Sequence, residues 1–589
     1  MSTYPLIRNR WSNEHLLTML FITVSLYQLP DFIASGANAA RYALIVIMAL
    51  LLDAGANYLR YRKPVCAVSA AVTAAVLYPV IKGLPGWSGI IGIIVALVFG
   101  KHLWGGSGRN IFNPAVTGMF VLSIFFPLGL KVFEPSNLLL PAMLLSVPIL
   151  IIRLFPGIGL ITGMLLGMLL GNWQGLYGIM AYGVMFWGCL VITDPVTSTD
   201  KPVAGLVTGF LAGFLPIYIS PSIFSLSIAL LIFNGLSFLL DSFSRKHHGI
   251  CFHGLKIRPA IRAKAGAEEM TDLTGRQPCR AAVPIDLEPT RLLELIREKD
   301  VFGMGGAGFP TAEKLEAVIR SGAKEKYLII NGMECDPGLL HDKWLVKNRI
   351  EEISGGIDIL ERFVSFRKIF CIARHTENFV LPERVEMHKL PDRYPYGAEK
   401  LFIEKLLGIS IPDNSNPAQY GVLVLNVQTV LSLYEAVCCG EKADTRYITV
   451  ADMVTGTGQI ARVKLGDRVS DIVEKTIQSR GMTFAGGGVM QAHMAAEGEV
   501  VDKKTNFIAV GMLPRFKEST QCISCGLCKL CCPMELDARK ITDLVDKGKS
   551  LEALAYDSSR CISCGICSYV CMAGRNLAER IPGRQEEKH

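Results

Sequence analysis

Cys522-Ile523-Ser524-Cys525-Gly526-Leu527-Cys528-Lys529-Leu530-Cys531-Cys532-Pro533 is answered downstream by Cys561-Ile562-Ser563-Cys564-Gly565-Ile566-Cys567-Ser568-Tyr569-Val570-Cys571. An iron–sulfur cluster needs four soft thiolates converging from several directions. Three cysteines at i, i+3 and i+6 wrap one corner of such a cage, and a distant fourth closes it. Zinc ribbons instead use two C-x-x-C pairs, and a disulfide framework belongs to oxidising compartments. The two runs therefore predict two [4Fe-4S] clusters and a protein that moves electrons one at a time.

Two-cluster ferredoxins lend the last cysteine of each run to the other cluster. On that pattern one cluster is expected on Cys522, Cys525, Cys528 and Cys571, and the second on Cys561, Cys564, Cys567 and Cys532. Residues 516–589 then form an α-helical ferredoxin-like domain. Met572 stands where a proline usually follows the last cysteine; that proline shapes the backbone and is not a ligand. Cys66, Cys189, Cys251, Cys279, Cys371, Cys438, Cys439 and Cys531 lack ligand spacing, and most of them read as reduced packing residues.

The rest of the chain says where the electrons travel. At 589 residues it is too long for one domain, and its composition changes near position 248. Residues 1–249 carry 14 Lys/Arg against 7 Asp/Glu, whereas residues 250–589 carry 46 against 45. The net charge of +8 thus lies almost wholly in the apolar part, and no basic surface for nucleic acid is expected. That part holds about ten apolar stretches, near 13–33, 42–59, 65–81, 86–100, 112–128, 136–152, 157–171, 176–193, 203–219 and 222–243. Several are shorter than the ~20 residues that span a bilayer, so half-helices or re-entrant segments belong among them. Arg8, Arg10 and Glu14 lead into the first stretch without a cleavage-type ending, so no removable signal is expected. With a cytoplasmic N-terminus, the inner flanks hold eleven Lys/Arg and the outer flanks three, Arg41, Lys82 and Lys131. This asymmetry places the N-terminus and the cysteine runs on the cytoplasmic side of a bacterial inner membrane.

Two loops interrupt the apolar pattern: Gly105-Gly106-Ser107-Gly108-Arg109-Asn110-Ile111-Phe112-Asn113-Pro114-Ala115 and Thr193-Asp194-Pro195-Val196-Thr197-Ser198-Thr199-Asp200-Lys201. Both reach a proline after Asn or Asp, 81 positions apart, which hints at an internal repeat. Irregular polar backbone at membrane depth is tolerated where protein or a cavity covers it, so a cofactor or ion site is one reading and a pair of tight turns the other. These strings resemble the membrane subunit RnfD and its relative NqrB, of the Rnf and Na+-translocating NADH:quinone oxidoreductase complexes, over most of residues 15–243. That family esterifies a flavin phosphate to the Thr of an S-G-A-T motif. The nearest string here, Ser35-Gly36-Ala37-Asn38, ends in an amide, so a covalent flavin is not expected.

Between membrane and clusters lies an α/β region with a glycine loop, Gly303-Met304-Gly305-Gly306-Ala307-Gly308-Phe309-Pro310-Thr311. A helix is predicted over Thr290–Lys299, another over Thr311–Arg320 after Pro310, and a strand over Tyr327–Ile330. Glycines let backbone approach a phosphate, a helix N-terminus offers free N–H groups, and Lys314 falls in the first turn. The loop is neither a Walker loop nor a clean G-x-G-x-x-G. Its sequel gives it weight: Asn331-Gly332-Met333-Glu334-Cys335-Asp336-Pro337-Gly338, then Tyr394-Pro395-Tyr396-Gly397-Ala398-Glu399-Lys400, then Asn426-Val427-Gln428-Thr429. The ordered set is similar to RnfC and, more remotely, to the flavin-carrying NADH-dehydrogenase subunit of complex I. The resemblance covers about 285–589 and implies non-covalent FMN and NADH held by Gly303, Gly305, Gly306, Gly308, Lys314, Asn331, Glu334, Tyr394, Gly397, Glu399 and Asn426. Met333 replaces a residue often acidic in the complex I relatives.

The expected fold is thus multidomain: a polytopic α-helical membrane domain (1–248), a linker or reduced N-terminal module (249–289), an α/β FMN/NADH domain (290–445), a β-grasp (SLBB-like) module (446–515) and the ferredoxin-like domain. The resemblance implies electron transfer from NADH through FMN and two clusters to a membrane-associated acceptor, within an Rnf-like, ion-translocating complex. Its partners would be other membrane subunits, with ferredoxin or quinone as redox partner. The alternatives are a stand-alone, non-pumping NAD(P)H dehydrogenase and a transporter-like membrane domain carrying a redox sensor. Hydride transfer needs no protein acid or base, so no catalytic residue is named.

Overall fold

Breaker residues set the ends of the apolar helices. The computed structural model describes residues 5–6, 12–62, 67–106, 108, 110–126, 154–170, 188–192, 194, 196–199, 202–219, 222–243, 257, 261–263, 270–276, 288–306, 308–375, 377–409, 411–412, 415–512 and 522–582. The apolar helices are Asn13–Tyr27, Leu29–Ala34, Gly36–Tyr61, Val68–Ile81, Gly86–Leu97, Pro114–Phe125, Leu154–Leu170, Pro202–Ile219 and Ile223–Phe243. The expected stretch 136–152 and most of 176–193 lie outside the described residues. The first stretch is broken at Gln28, because Pro30 fits only the opening turn of Leu29–Ala34. Among the described residues one helix, Gly36–Arg60, is long and apolar enough alone to cross a bilayer, with mean hydropathy 1.7. Close backbone approach joins Leu154–Leu170 to Pro202–Ile219: a Cβ on Gly163 would lie 2.1 Å from the Phe210 carbonyl oxygen, and one on Gly213 2.3 Å from that of Leu160. Small residues four apart (Gly159 and Gly163; Gly205, Gly209 and Gly213) line this approach and leave room for it.

Within this helical part sits a buried charge. The Asp53 carboxylate accepts from Lys101 Nζ at 2.7 Å, His102 Nε2 at 2.9 Å, Asn57 Nδ2 at 3.1 Å and the Ala67 N–H at 3.1 Å. The π-helical turn Val98–His102 brings consecutive Lys101 and His102 to the one carboxylate. Lys101 is 2% exposed and Asp53 fully buried, so removing either partner strands a charge. Lys101→Met is therefore expected to destabilise the protein by about 3–5 kcal/mol, and Asp53→Asn combined with Lys101→Met to recover most of that. Chemical denaturation of the two variants checks it; equal losses would refute the pairing argument.

The remainder carries two sheets. The first is fully parallel, in the order β5 (Val385–Leu390), β4 (Lys368–Arg374), β3 (Tyr327–Asn331), β6 (Val422–Asn426). Strands β3 and β6 are apolar and buried at successive positions, as helices on both faces require. Helix Pro289–Glu298 stands where Thr290–Lys299 is predicted, and Thr311–Arg320 keeps its predicted bounds. The second sheet pairs β7 (Thr445–Asp452) with β8 (Thr457–Lys464) as a hairpin, crosses by helix Val469–Thr476, and returns β11 (Phe507–Gly511) parallel to β7. Strands β9 (Met482–Gly486) and β10 (Ala492–Met494) extend it on one side. On the other, β1 (Arg262–Ala263) and β2 (Thr271–Asp272) pair with β8, so the expected linker adds strands to this sheet.

The cysteine module repeats itself at an interval of 39 residues. Ser524 and Ser563 share a left-handed backbone (φ 53° each), as do Gly526 and Gly565 (75° each), before short helices Leu527–Leu530 and Ile566–Tyr569. Cys371 and Cys531 are buried free thiols, and Cys438 is free and half-buried. Cys439 is disulfide-bonded, an exception to the reduced state expected of most of these cysteines.

Candidate functional site

Chain order makes one point of the parallel sheet special. From β3 the chain adds β4 and β5 on one side, then places β6 on the other, so the strand order reverses between β3 and β6. Crossovers diverge at such a point and leave a crevice at the carboxyl ends of the strands. Asn331 and Asn426 end these two strands and face each other in register.

The glycine loop closes over this point. Phe302 and Pro310 form an antiparallel bridge, Gly303 N–H donates to the Phe309 carbonyl at 2.7 Å, and Gly308 N–H to that of Gly303 at 3.1 Å. Met304 N–H is held by Thr429 Oγ1 at 2.8 Å, and its carbonyl by Arg446 Nη2 at 3.1 Å. A Cβ on Gly305 would lie 3.3 Å from Asn426 Cβ, while Gly306 (φ +110°) and Gly308 (φ +66°) adopt backbone that favours glycine. Among the described residues, no acceptor takes the Gly305 or Gly306 N–H.

Most of the other predicted residues gather behind and beside the loop; Tyr394 instead buries its ring in the core of the cysteine module. Asn331 Nδ2 donates to the Gly397 carbonyl at 3.0 Å, and a Cβ on Gly397 would lie 2.9 Å from the Met333 carbonyl oxygen. Lys314 Nζ reaches Glu399 Oε1 at 3.1 Å and the Val424 carbonyl at 3.3 Å. Glu334 is turned inward, accepting the Asp342 N–H at 2.6 Å and the Lys343 N–H at 3.3 Å, so that it caps helix His341–Asn348. Asn426 Nδ2 donates to Asp342 Oδ2 at 2.7 Å and to the Asn331 carbonyl at 3.3 Å. Its Oδ1 caps helix Val427–Cys438 through the Gln428 N–H. Burial raises the pKa of both Glu334 and Asp342; the Asp342 carboxylate adds to the rise at Glu334, and Glu377 to that at Asp342. His341, pushed down to about 3 by burial and by Arg446, stays neutral beside them.

Sequence reading missed His341, Asp342, Thr429, Arg446 and Asp336. The available signal was Asp336: an acid two residues before Gly338 in a tight turn is an anchor for backbone N–H groups. Its carboxylate accepts the N–H groups of Gly338, Val489 and Met490 at 3.0 Å each, binding the sheet-switch loop to the second sheet. Burial raises its pKa to about 6 despite these bonds. Because the folded value lies above the unfolded one, the folded state retains this proton longer, and stability falls as pH rises from about 4 to 6. Asp336→Asn is expected to flatten that segment of the stability–pH curve, and Asp336→Ala to cost about 1–3 kcal/mol by orphaning buried donors. Denaturant titrations at pH 4.5 and 7 read both.

The two cysteine runs interlock. Burial, then Asp537, Cys525, Cys522 and Cys571, hold the Cys528 thiol well above its usual pKa. Burial, with Cys532 and Cys561 nearby, does the same for Cys564. Cys567 is likewise raised by burial, then by Cys561, Cys564 and Cys532. Cys532, Cys561, Cys564 and Cys567 also line one cavity with Pro533, Ile562, Gly565 and Ile566. Thiols this crowded and desolvated favour a bound cation that accepts thiolates over four free protons.

The two loops that interrupt the apolar pattern meet. Asn113 Nδ2 donates to Asp194 Oδ2 at 2.9 Å, and Asn113 N–H to Asn234 Oδ1 at 2.9 Å. Asn234 Nδ2 reaches the Thr197 carbonyl at 3.3 Å. Each loop follows a π-helical turn, Val98–His102 or Gly188–Ile192, and Asn113 and Asp194 each accept a backbone N–H two residues on. These shared features agree with the repeat hinted at by the sequence.

Residues 1–147 match the NQR2, RnfD, RnfE family, and residues 296–435 match the Nuo51 FMN-binding domain. The chain is 30% identical over 297 residues to the C subunit of the ion-translocating oxidoreductase complex of Pseudomonas aeruginosa, covering 48% of this chain and 38% of that one. It is 30% identical over 276 residues to the protein of that name from Rhodobacter capsulatus, covering 44% and 53%. With the C subunit of the Na(+)-translocating ferredoxin:NAD(+) oxidoreductase complex of Acetobacterium woodii it shares 27% over 276 residues, covering 44% and 61%. The chain thus spans less than two thirds of these relatives' length. Among solved structures, the NAD+-reducing [NiFe]-hydrogenase in the H2-reduced state aligns with 51% of this chain and 64% of its own, at 18% identity and a TM-score of 0.37.

Proposed function

We propose that this chain, which joins an NQR2, RnfD, RnfE-family membrane region to a Nuo51-type FMN-binding domain, is an oxidoreductase carrying electrons from NADH to a membrane-associated acceptor. It would act as a fused RnfD–RnfC-like subunit of an ion-translocating complex. FMN, when bound, takes an electron pair as hydride and releases electrons singly. The protein's part is positional. Gly305 and Gly306 offer N–H groups to the phosphate, Lys314 supplies positive charge at the same helix turn, and Asn426 supports the loop from beneath. Asn331 and Gly397 fix the facing wall, while Glu334 and Asp342 keep the floor rigid. Two crossed sets of four cysteines hold two [4Fe-4S] clusters. In this reading the apolar part crosses the membrane about ten times, with the redox domains on the cytoplasmic side.

One observation carries the reading: Tyr394, three residues before Gly397 of the crevice wall, packs its ring into the core of the cysteine module and donates its Oη to the Cys564 carbonyl at 2.7 Å. Cradle and cage are therefore in direct contact. Anaerobic NADH titration of the purified chain, followed by EPR and by flavin analysis after acid precipitation, tests it. Bleaching of a releasable flavin with reduced-cluster signals is expected; clusters that NADH cannot reduce would overturn it. The absence of S-G-A-T favours a second reading, a non-pumping NAD(P)H dehydrogenase, which predicts purification without further membrane subunits.

A further inference from the structure

The two cysteine runs are near-copies, yet their surroundings differ. On the Cys561 run, Gln491 Nε2 donates to the Ser563 carbonyl at 3.1 Å and Tyr394 Oη to that of Cys564 at 2.7 Å. Both donors belong to the flavin-side domains. On the Cys522 run, the equivalent left-handed serine meets the membrane part instead: Ser524 Oγ donates to the Gly108 carbonyl at 2.8 Å. Gly108 lies so close that a Cβ there would fall 1.6 Å from the Cys522 carbonyl oxygen, and its φ of +79° also favours glycine. Beside Cys571, the Met572 carbonyl accepts the N–H of Asn13, the first residue of helix Asn13–Tyr27, at 3.0 Å. Thus both backbone segments of one cysteine set, and neither of those flavin-side contacts, touch the membrane part.

Building on the electron-transfer reading above, we propose that the two clusters are wired in a fixed order. The set Cys532, Cys561, Cys564 and Cys567 faces the flavin crevice; the set Cys522, Cys525, Cys528 and Cys571 is terminal, seated on Gly108 and on Asn13. Each transfer between the sets moves one electron, oxidising the first cluster as it reduces the second, with no proton or leaving group. Electron tunnelling falls steeply with distance, so the seam fixes which set can discharge toward the membrane. It also gives the glycine loop of the membrane part a use that tight turning alone does not: only glycine at 108 lets the two backbones touch.

The test uses the full chain, purified anaerobically, as the parent and as Gly108→Val and Ser524→Ala. Cys522→Ser and Cys561→Ser identify the EPR signal of each set. Hydrogen exchange over 102–113 and 522–528 should quicken about tenfold or more in Gly108→Val and about three- to tenfold in Ser524→Ala, with 561–567 unchanged. The EPR signal lost in Cys522→Ser should change shape in both seam variants, and NADH should still reduce both clusters. Parental exchange rates in both variants, or a disturbance confined to the signal lost in Cys561→Ser, would overturn the order. If the parent shows no cluster signal, the electron-transfer reading itself falls, and the exchange data separately report whether the seam exists.

Discussion

Cys532→Ser should remove the cluster of the other run. The thiols of Cys564 and Cys567 both feel Cys532, whereas Cys528 feels Cys571. Bound iron should drop from about eight to about four atoms per chain in Cys532→Ser and in Cys571→Ser alike. The decisive comparison is spectral. The surviving EPR signal of Cys532→Ser should match that of Cys561→Ser, and the survivor in Cys571→Ser should match that in Cys522→Ser. Uncrossed cages reverse both matches. The crossing matters for function, because each run then contributes backbone to both cages and the two clusters are held at one separation by covalent structure. Losing a single cysteine should cut NADH-driven reduction of any membrane acceptor to near zero while flavin reduction survives, since the conductor is broken after the flavin.

What could be read from sequence was whatever chemistry writes locally. A cage corner needs cysteines three apart, so both runs declare themselves. The glycine loop, the helix after Pro310 and strand β3 follow one another within about thirty residues, where periodicity and breakers operate. Long-range partners leave no such trace. Asn331 and Asn426 are 95 positions apart, and nothing in either segment announces that β6 pairs with β3 and creates the switch point. Arg446 reads as an ordinary strand residue, yet it is fully buried and holds the Met304 and Asp502 carbonyls. Glu334 was legible as part of a motif, but its inward turn to cap the next helix depends on where that helix starts. The short strands β1 and β2 were invisible for a different reason: two-residue pairings are made by the neighbouring sheet and not by their own propensity.

Gly306→Val should empty the flavin site while leaving the clusters in place. Gly306 sits at φ +110°, which a β-branched side chain reaches only with strain of about 1–3 kcal/mol, so the loop should re-form elsewhere in backbone space. Re-forming withdraws the Gly305 and Gly306 N–H groups, and each charge-assisted bond lost to a phosphate adds about 1.5–3 kcal/mol. Together these predict FMN binding about a hundredfold or more weaker, and a purified chain with little flavin released by acid. Gly303→Ala is the matched control. Its Cβ would lie 3.4 Å from the Phe309 carbonyl oxygen, an ordinary contact, so flavin should be retained. In Gly306→Val, dithionite should still reduce both clusters but NADH should reduce neither. That pattern separates loss of the cradle from general unfolding, which would remove iron as well. Full flavin occupancy in Gly306→Val would place the cofactor away from this loop, and the switch-point crevice would then need a different ligand.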